Sequence, residues 1–187
     1  MEINLITHNK NKLAEFKKYL EPEIQVNHID LDYPEIRAET NELVAKHAVQ
    51  ELVKLLNKPI VVEDSGFYID AFEGFPGVYT ATVFKKIGNR GFLKLMQSVT
   101  DRTVRYKSVI AYAVPSDSNV HIFAGEEEGI LSEEEKGNLG WGQDPIFIPK
   151  ENNSEQKTYG EMRKLGENLF RSRAIERLKE YIIAKKA

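Results

Sequence analysis

The sequence predicts an α/β protein with a mixed β-sheet flanked by helices. Strand and helix patterns alternate through the first third of the chain, which is typical of parallel strands joined by crossover helices. Further along, two segments of alternating apolar and polar residues flank a cluster of turn residues, which predicts an antiparallel hairpin. Because both kinds of pairing are expected, the sheet is predicted to be mixed. The predicted strand segments are 3–7, 24–29, 60–62, 103–114 and 120–125.

Helices are predicted where apolar residues recur at three- and four-residue spacing. Leu13, Phe16 and Leu20 mark the first helix, which follows the polar segment 7–12. Thr40 is expected to cap the second helix through its hydroxyl. Two short helices and a C-terminal one complete the prediction, at 78–87, at 91–99 and around residues 170–182.

Length, charge and cysteine content exclude several classes of function. A chain of 187 residues can bury a core without disulfides, and we expect a single domain over residues 1–187. Lys and Arg total 26 and Asp and Glu total 29, so the net charge is −3. That balance argues against nucleic acid as a partner, because bulk binding depends on many cationic contacts to phosphate. The sequence has no cysteine, which excludes thiolate metal sites and thiol nucleophiles.

The sequence carries no targeting or membrane signal that we recognise. The first residues lack the basic start and apolar core of a signal peptide. No apolar run approaches the ~20 residues that a membrane-spanning helix needs. We therefore expect a soluble, cytoplasmic protein without a membrane partner.

The most informative stretch is the apolar segment 60–62 followed by Glu63, Asp64, Ser65 and Gly66. A short strand that ends on two carboxylates would place them where α/β sheets bind ligands, beyond the carboxyl ends of their strands. Carboxylate oxygens there could hold a hard cation such as Mg²⁺. The alternative is a plain strand followed by a polar turn, because Asp-Ser-Gly is ordinary turn chemistry.

Two loops could contribute to the same site. The segment 7–12 opens a helix, so its backbone amides and the charges of Lys10 and Lys12 could hold an anion. Alternatively, Asn9 or Asn11 caps the helix and the lysines are solvated. Glu35 follows a proline on a loop, from which it could reach a site, although a lone loop glutamate usually faces solvent.

Other polar stretches are open to two interpretations. Trp141 lies between glycines, where its ring could stack on a nucleobase or could belong to the core. The acidic runs 126–128 and 133–135 are expected to be solvated edges or turns rather than metal sites. Arg171, like the other arginines of the C-terminal helix, is expected on a solvated basic side.

Separated motifs match one known pattern together. The chain resembles the inosine/xanthosine triphosphate pyrophosphatase family, and the resemblance covers nearly its whole length. The motifs that carry it are Thr7-x-Asn9-x-x-Lys12, Pro34-Glu35, Val62-Glu63-Asp64-Ser65-Gly66, Gly74-Phe75-Pro76-Gly77-Val78-Tyr79, Gly140-Trp141-Gly142-Gln143-Asp144-Pro145-Ile146-Phe147 and Thr158-Tyr159-Gly160-Glu161-Met162.

The resemblance implies Mg²⁺-dependent hydrolysis of ITP, dITP and XTP between the α- and β-phosphates, which releases a nucleoside monophosphate and pyrophosphate. It also implies an elongated mixed sheet, two lobes with the nucleotide in a cleft between them, and a homodimer. In this pattern Asp64 is the catalytic group that deprotonates water, and Glu35 and Asp64 hold the metal. Glu63 is implied to share one of these roles, and Ser65 to touch phosphate.

The remaining implied site residues hold the two ends of the nucleotide. The triphosphate is assigned to the loop residues Thr7, His8, Asn9, Lys10, Asn11 and Lys12. The base is assigned to Trp141, Gly142, Gln143, Asp144, Ser172 and Arg173. Trp141 takes the aromatic position beside the base, and Asp144 contacts the base edge.

The C-terminal base-reading motif departs from the family pattern. Counting from Met162 places Glu167 at the family lysine, Arg171 at the serine and Ser172 at the histidine, so only Arg173 matches. The family tyrosine before Asp144 is Gln143 here, and a family lysine falls at Gln50. These departures put the base preference in doubt. They allow an alternative function, a nucleotide-binding sensor of the same fold with weak catalysis and an altered base preference.

Overall fold

The computed structural model describes residues 1–162 and 169–185, and within them it has a seven-stranded sheet flanked by helices. The strands are β1 (Glu2–Ile6), β2 (Gln25–Ile29), β3 (Ile60–Ile69), β4 (Pro76–Gly77), β5 (Thr103–Ala113), β6 (His121–Leu131) and β7 (Phe147–Pro149). The helices are α1 (Lys10–Leu20), α2 (Asn41–Leu56), α3 (Thr80–Leu95), α4 (Tyr159–Met162) and α5 (Leu169–Ala184).

The sheet is mixed, as predicted from the sequence. Its strand order is β2-β1-β3-β5-β6-β7, and β4 pairs with β3. Strand β1 runs parallel to both β2 and β3. The pairs β3 with β4 and β6 with β7 are antiparallel. The parallel pairs require the crossover helices α1 and α2, which is why helices and strands alternate at the start of the chain.

The chain divides into two compact units. The first unit contains residues 1–64, 108–125 and the chain from Leu169 onward, and the second contains residues 65–107 and 126–168. The first boundary falls inside β3, between Asp64 and Ser65. The single domain over residues 1–187 stays a prediction.

In the first unit, the two faces of the sheet are covered by different helices. Val61 of β3 belongs to a buried cluster with residues of α1 and α5, including Phe16 and Ile175. Its neighbours Ile60 and Val62 belong to another cluster, formed with apolar residues of α2. Successive side chains of a strand point to opposite faces. Odd-numbered residues at this end of β3 therefore face α1 and α5, and even-numbered ones face α2.

Strand β3 is longer than the sequence indicates. The prediction of a short strand ending at Val62 is wrong, because Glu63 to Gly66 are extended and the strand continues to Ile69. Pairing with β4 holds this continuation, with Phe67 opposite Gly77. The pairing needs a glycine, since a Cβ at Gly66 would lie 2.7 Å from the carbonyl oxygen of Gly77.

Two other predictions concern the second unit. The two predicted short helices correspond to α3, which is broken at Gly88, where φ is 59° and ψ is −172°. The prediction that residues 126–128 form a solvated edge or turn is right about the exposure of Glu126 and Glu128, but the three residues lie within β6 rather than in a turn. Glu127 is buried, and its carboxylate accepts a hydrogen bond from the Tyr159 hydroxyl.

No helix in the described part of the chain is long and apolar enough to span a membrane.

A buried hydroxyl links β3, β4 and α3 within the second unit. Thr80 Oγ1 accepts from the Phe67 amide over 2.7 Å and lies 2.5 Å from the Gly77 carbonyl oxygen, to which it donates. We expect Thr80→Val, which keeps the shape and deletes the hydroxyl, to lower the free energy of unfolding by about 1–3 kcal/mol. Urea unfolding measures this change. Thr82→Val is the matched control, because Thr82 is exposed on the same helix; equal losses in both variants would contradict the assignment.

Candidate active site

Glu63 and Asp64 are consecutive residues of β3 with different surroundings. Glu63 continues the face of Val61 and meets α1 and α5, whereas Asp64 continues the face of Val62 and meets α2. The two carboxylates therefore do not form a simple pair beside one ligand. Each has its own set of partners.

Glu63 is the centre of a buried ion network. Its Oε2 lies 2.6 Å from Lys12 Nζ, and its Oε1 lies 3.2 Å from Arg171 Nε. The Ser108 hydroxyl donates to Oε1 over 2.6 Å. Burial by itself would raise the pKa of Glu63, but Lys12 and Arg171 outweigh burial and lower it to about 2. Glu63 is thus a buried carboxylate that is ionised at neutral pH and has a cationic partner at each oxygen.

Arg171 completes this network on its other side. Its Nη1 lies 2.5 Å from Glu15 Oε2, and both side chains are only 1% exposed. Two carboxylates and two cations balance, which is the condition under which buried charges are tolerated. The prediction that Arg171 is solvated is therefore wrong. At about 100° per residue, Arg171 lies between Leu178 and Ile182 on the apolar face of α5, so the helical periodicity contained this information.

Glu15 was not predicted, and periodicity gives no sign of it. The apolar face of α1 is defined by Leu13, Phe16 and Leu20, and Glu15 projects away from that face. Its burial follows from the packing of α5 against α1, which only the tertiary structure reveals.

Asp64 is a half-buried carboxylate that accepts a hydrogen bond from a neutral donor. Asn41 Nδ2 donates to Asp64 Oδ2 over 2.7 Å. Burial raises the pKa of Asp64 to about 6; Asn41 and Lys12 oppose that rise, whereas Glu63 and Glu35 add to it. A carboxylate with this pKa is mostly ionised at neutral pH and is a stronger base than an exposed aspartate.

Glu35 lies within electrostatic reach of Asp64, as its contribution to the Asp64 pKa indicates. It also lies within electrostatic reach of the Tyr33 hydroxyl, whose pKa is raised by burial and then by Glu35 and Asp64. Tyr33 packs against the same apolar cluster as α2. The structure therefore brings the two predicted metal ligands into one region of the first unit.

These carboxylates fit a hard divalent cation. Within residues 1–162 and 169–185, no three His, Asp or Glu side chains are arranged to enclose an ion. Mg²⁺ is commonly held by one or two carboxylates, with water and substrate phosphate as the other ligands. A cation would also relieve the repulsion that Glu35 and Glu63 exert on Asp64. The donor set is therefore suited to a divalent cation whose other ligands are water and phosphate oxygens.

Asn9, a residue of the segment 7–12, caps the start of α1 with its own side chain. Asn9 Oδ1 accepts from the amides of Asn11 and Lys12 over 2.9 and 3.2 Å. Of the two alternatives for this segment, capping by Asn9 is the one observed for these two amides. Lys12 is not solvated: besides its ion pair, its Nζ donates to the Glu63 carbonyl over 3.2 Å.

Two histidines hold the start of this loop. The exposed ring of His8 contacts Asp30 through Nδ1 and Asp32 through Nε2, and the hydrogen bond to Asp30 is the main cause that raises the His8 pKa. His28 Nε2 donates to the Thr7 carbonyl over 2.8 Å. Lys10 is exposed.

In the second unit, Asp144 closes the loop that carries Trp141. Asp144 is 1% exposed, and its Oδ2 accepts from the Trp141 amide over 2.8 Å. A Cβ at Gly140, where φ is +72°, would lie 2.0 Å from the same oxygen, so this turn requires glycine. Trp141 is half-buried and Gln143 is buried, while the Gly142 carbonyl accepts from Asn89 Nδ2 over 3.1 Å.

The remaining predicted residues are placed as follows. Ser65 is half-buried at the start of the second unit. Ser172 is buried in α5, and its hydroxyl donates to the Leu169 carbonyl over 3.2 Å. Arg173 is half-buried on the same helix. Glu167, at the position of the family lysine, lies outside the described residues.

Comparison with known proteins identifies relatives over almost the full length. The profile of the Ham1 family matches residues 3–181. A dITP/XTP pyrophosphatase of Thermococcus kodakarensis is 41% identical over 163 residues, or 87% of this chain and 85% of the relative. That of Methanothermobacter marburgensis is 36% identical over 184 residues, or 97% of this chain and 96% of the relative. The solved Staphylococcus aureus Ham1 protein matches with a TM-score of 0.85 and 27% identity, covering 99% of this chain and 100% of that one.

A mixed sheet whose central strand carries a desolvated aspartate, with a second carboxylate nearby, defines an α/β protein with an acidic candidate active site. The profile match and the identity to curated relatives are specific to one family. The chain belongs to the Ham1 family, so the resemblance inferred from its motifs is confirmed.

Because of the ion network, we expect Arg171→Met to lower the free energy of unfolding by a large amount that depends on pH. Removing the guanidinium leaves two buried carboxylates short of a cation, so the free energy of unfolding at pH 7.5 should fall by about 3–5 kcal/mol. In the wild-type protein, the stability due to Glu63 is present above its ordinary pKa of 4.5 and is lost as the pH falls toward 2. In the variant, the carboxylates can protonate more easily, so the deficit should shrink at pH 4.5.

Urea unfolding at both pH values measures this difference. Arg177→Met on the same helix is the control, because Arg177 is exposed. A deficit in Arg171→Met that is small, or that does not change between pH 7.5 and 4.5, would show that the network contributes little.

Asp64→Asn is expected to stabilise the protein at high pH. The folded-state pKa of about 6 lies above the ordinary 3.8, so ionisation of Asp64 costs stability as the pH rises through 6. Without divalent cation, the variant should gain roughly 1–3 kcal/mol over wild type at pH 8 and nothing at pH 4. The free energy of unfolding in urea is the measurement.

Asp101→Asn provides a control of opposite sign. Its pKa is lowered, chiefly because the Thr103 amide donates to it, so its charge contributes stability above its ordinary pKa. That variant should lose stability at pH 8 and not at low pH. A gain in both variants, or in neither, would contradict the assigned environment of Asp64.

Proposed function

We propose that this protein hydrolyses non-standard purine nucleoside triphosphates, namely dITP, XTP and ITP, to the nucleoside monophosphate and pyrophosphate. Its Ham1-family relatives are named dITP/XTP pyrophosphatases at 41% and 36% identity over most of both chains. The structural observation that carries the proposal is the half-buried Asp64 carboxylate, which accepts a hydrogen bond from Asn41 and lies within electrostatic reach of Glu35. Such a reaction would remove damaged nucleotides from the pool.

In the proposed reaction, Asp64 orients water and accepts its proton. Its raised pKa of about 6 is near the operating pH, where a general base combines ionisation with basicity. The attacking water would displace pyrophosphate at the α-phosphorus, and the proton would pass to Asp64. Glu35 and Asp64 would hold Mg²⁺, which supplies charge neutralisation at the phosphate oxygens when bound.

Lys12 is the proposed cationic contact to the triphosphate. An ammonium group has three donors, and contacts to the Glu63 carboxylate and carbonyl account for two of them among the described residues. The third donor would contact phosphate. Because Glu63 is buried and fixed by Arg171 and Ser108, it would hold Lys12 in place while that contact forms.

Base selection is proposed to involve Trp141 and its loop together with Arg173. The backbone of that loop is fixed by Asp144, so Asp144 would contribute through loop geometry and main-chain groups rather than through its carboxylate. Arg173 has donors and no acceptor, which favours a 6-oxo purine over a 6-amino purine. Ser172 donates to its own helix, so it does not replace the family histidine as a donor in this conformation.

The homodimer implied by the resemblance stays a prediction. The alternative of a sensor with weak catalysis has no support among the relatives compared above, which are named for an enzymatic activity. The two functions differ in one product, because a sensor binds nucleotide without releasing pyrophosphate.

Pyrophosphate release from dITP, XTP, ITP, GTP and ATP, with Mg²⁺ and with EDTA, tests the proposal. We expect release from the first three with Mg²⁺, at kcat/KM values at least ~10-fold above that for ATP, because Arg173 can donate to a 6-oxo group but not to a 6-amino group. GTP also carries a 6-oxo group, so selection against GTP would have to act at its 2-amino group, through the Trp141 loop. Nucleoside monophosphate must form in equal amount. Equal rates on all five would remove the proposed specificity, and nucleotide binding without product would favour the sensor.

A further inference from the structure

Asp64 depends on a side chain that none of the sequence motifs contains. Asn41 is the first residue of α2 and is fully buried. Its Nδ2 donates to Asp64 Oδ2 over 2.7 Å, across 23 positions of the chain. A hydrogen bond from an amide to a carboxylate at this distance is charge-assisted, and it is therefore stronger than one between neutral groups.

The end of α2 that carries Asn41 is fixed in two ways. Thr40 caps the helix, since its Oγ1 accepts from the Leu43 amide over 3.3 Å and its carbonyl accepts from the Val44 amide over 3.2 Å. Further along, apolar residues of α2 pack in one cluster with Ile60 and Val62 of β3. The donor and acceptor of the Asn41–Asp64 bond therefore sit on two elements that share a core.

The bond distinguishes the two oxygens of Asp64. The terminal torsion of an aspartate is broad, so an unrestrained carboxylate would sample many orientations. The bond from Asn41 to Oδ2 restricts rotation of the carboxylate and leaves Oδ1 as the oxygen for other ligands. A carboxylate that must meet both a cation and a water molecule benefits from such a restraint, because misplacement by about 1 Å can cost roughly 100-fold in rate.

We propose that Asn41 is a positioning residue, which holds Asp64 Oδ2 so that Oδ1 faces the divalent cation and the attacking water. This inference rests on the proposed function. It assigns to Asn41 no contact with the nucleotide, so its loss should act on turnover and on cation binding rather than on nucleotide binding.

The test compares Asn41→Ala, Asn41→Asp and Thr40→Ala with the wild-type protein. For Asn41→Ala, we expect kcat on XTP to fall about 10- to 100-fold. The KM for XTP should stay within about threefold, and the Mg²⁺ concentration for half-maximal rate should rise. Asn41→Asp keeps the shape but replaces the donor with a second carboxylate, so it should lose at least as much kcat as Asn41→Ala.

Thr40→Ala is the matched control for loosening of the helix end. It removes the cap of α2 but leaves the donor to Asp64 in place. Its kcat and Mg²⁺ dependence should therefore stay near those of the wild-type protein. Calorimetric titration of Mg²⁺ without nucleotide provides a second readout, in which Asn41→Ala should bind more weakly than wild type and Thr40→Ala should not.

Each outcome decides the inference. An unchanged kcat in Asn41→Ala, equal losses in Asn41→Ala and Thr40→Ala, or a loss confined to KM would overturn it. If the wild-type protein releases no pyrophosphate from any nucleotide, the proposed function fails. The calorimetric comparison still decides the role of Asn41 in that case, because equal Mg²⁺ binding by wild type and Asn41→Ala would contradict it.

Discussion

The buried network of Glu15, Arg171, Glu63 and Lys12 is the interaction on which the first unit depends. It joins α1, α5 and β3, and its charges balance with every side chain at most 17% exposed. Buried ions are costly unless each has its partner, so removal of one member leaves the others uncompensated. The network therefore constrains the position of α5 on α1 and the orientation of Lys12 together.

The two faces of β3 carry carboxylates with different surroundings, one within the ion network and one beside Asn41. Because adjacent residues of β3 point in opposite directions, Glu63 is fixed within the ion network while Asp64 keeps a neutral donor and a raised pKa. The same alternation carries Val61 and Val62 into different apolar clusters. Two acidic residues that look equivalent in sequence thus acquire a pKa of about 2 and one of about 6, which suits one to structure and the other to proton transfer.

Much of the fold could be predicted from local patterns. The capped start of α2 at Thr40, the two segments of α3 and the mixed sheet all follow from periodicity and turn residues. The length of β3 could not be predicted, because the continuation through Gly66 depends on pairing with β4. Local turn propensity of Asp-Ser-Gly is weaker than this tertiary pairing.

The candidate site, like the fold, could be predicted only in part from local sequence. Motif positions place Glu35 near Asp64, where the structure also has them. Burial of Arg171 was within reach of helical periodicity, whereas Glu15 and Asn41 are tied to β3 only through tertiary packing. Asn41 occupies an ordinary position at the start of a helix, and nothing in its local sequence indicates that its amide meets a carboxylate 23 residues away.

We propose that Asp64 acts in the hydrolysis, whereas Glu63 contributes to the stability of the fold. Pyrophosphate release from XTP per folded molecule, measured side by side for Glu63→Gln and Asp64→Asn, tests it most directly. We expect Asp64→Asn to stay folded and to lose at least ~100-fold in kcat. Glu63→Gln should instead lose stability, while its folded fraction keeps kcat within about 10-fold of wild type. Near-normal turnover in Asp64→Asn, or an equal loss of turnover in folded Glu63→Gln, would contradict the account.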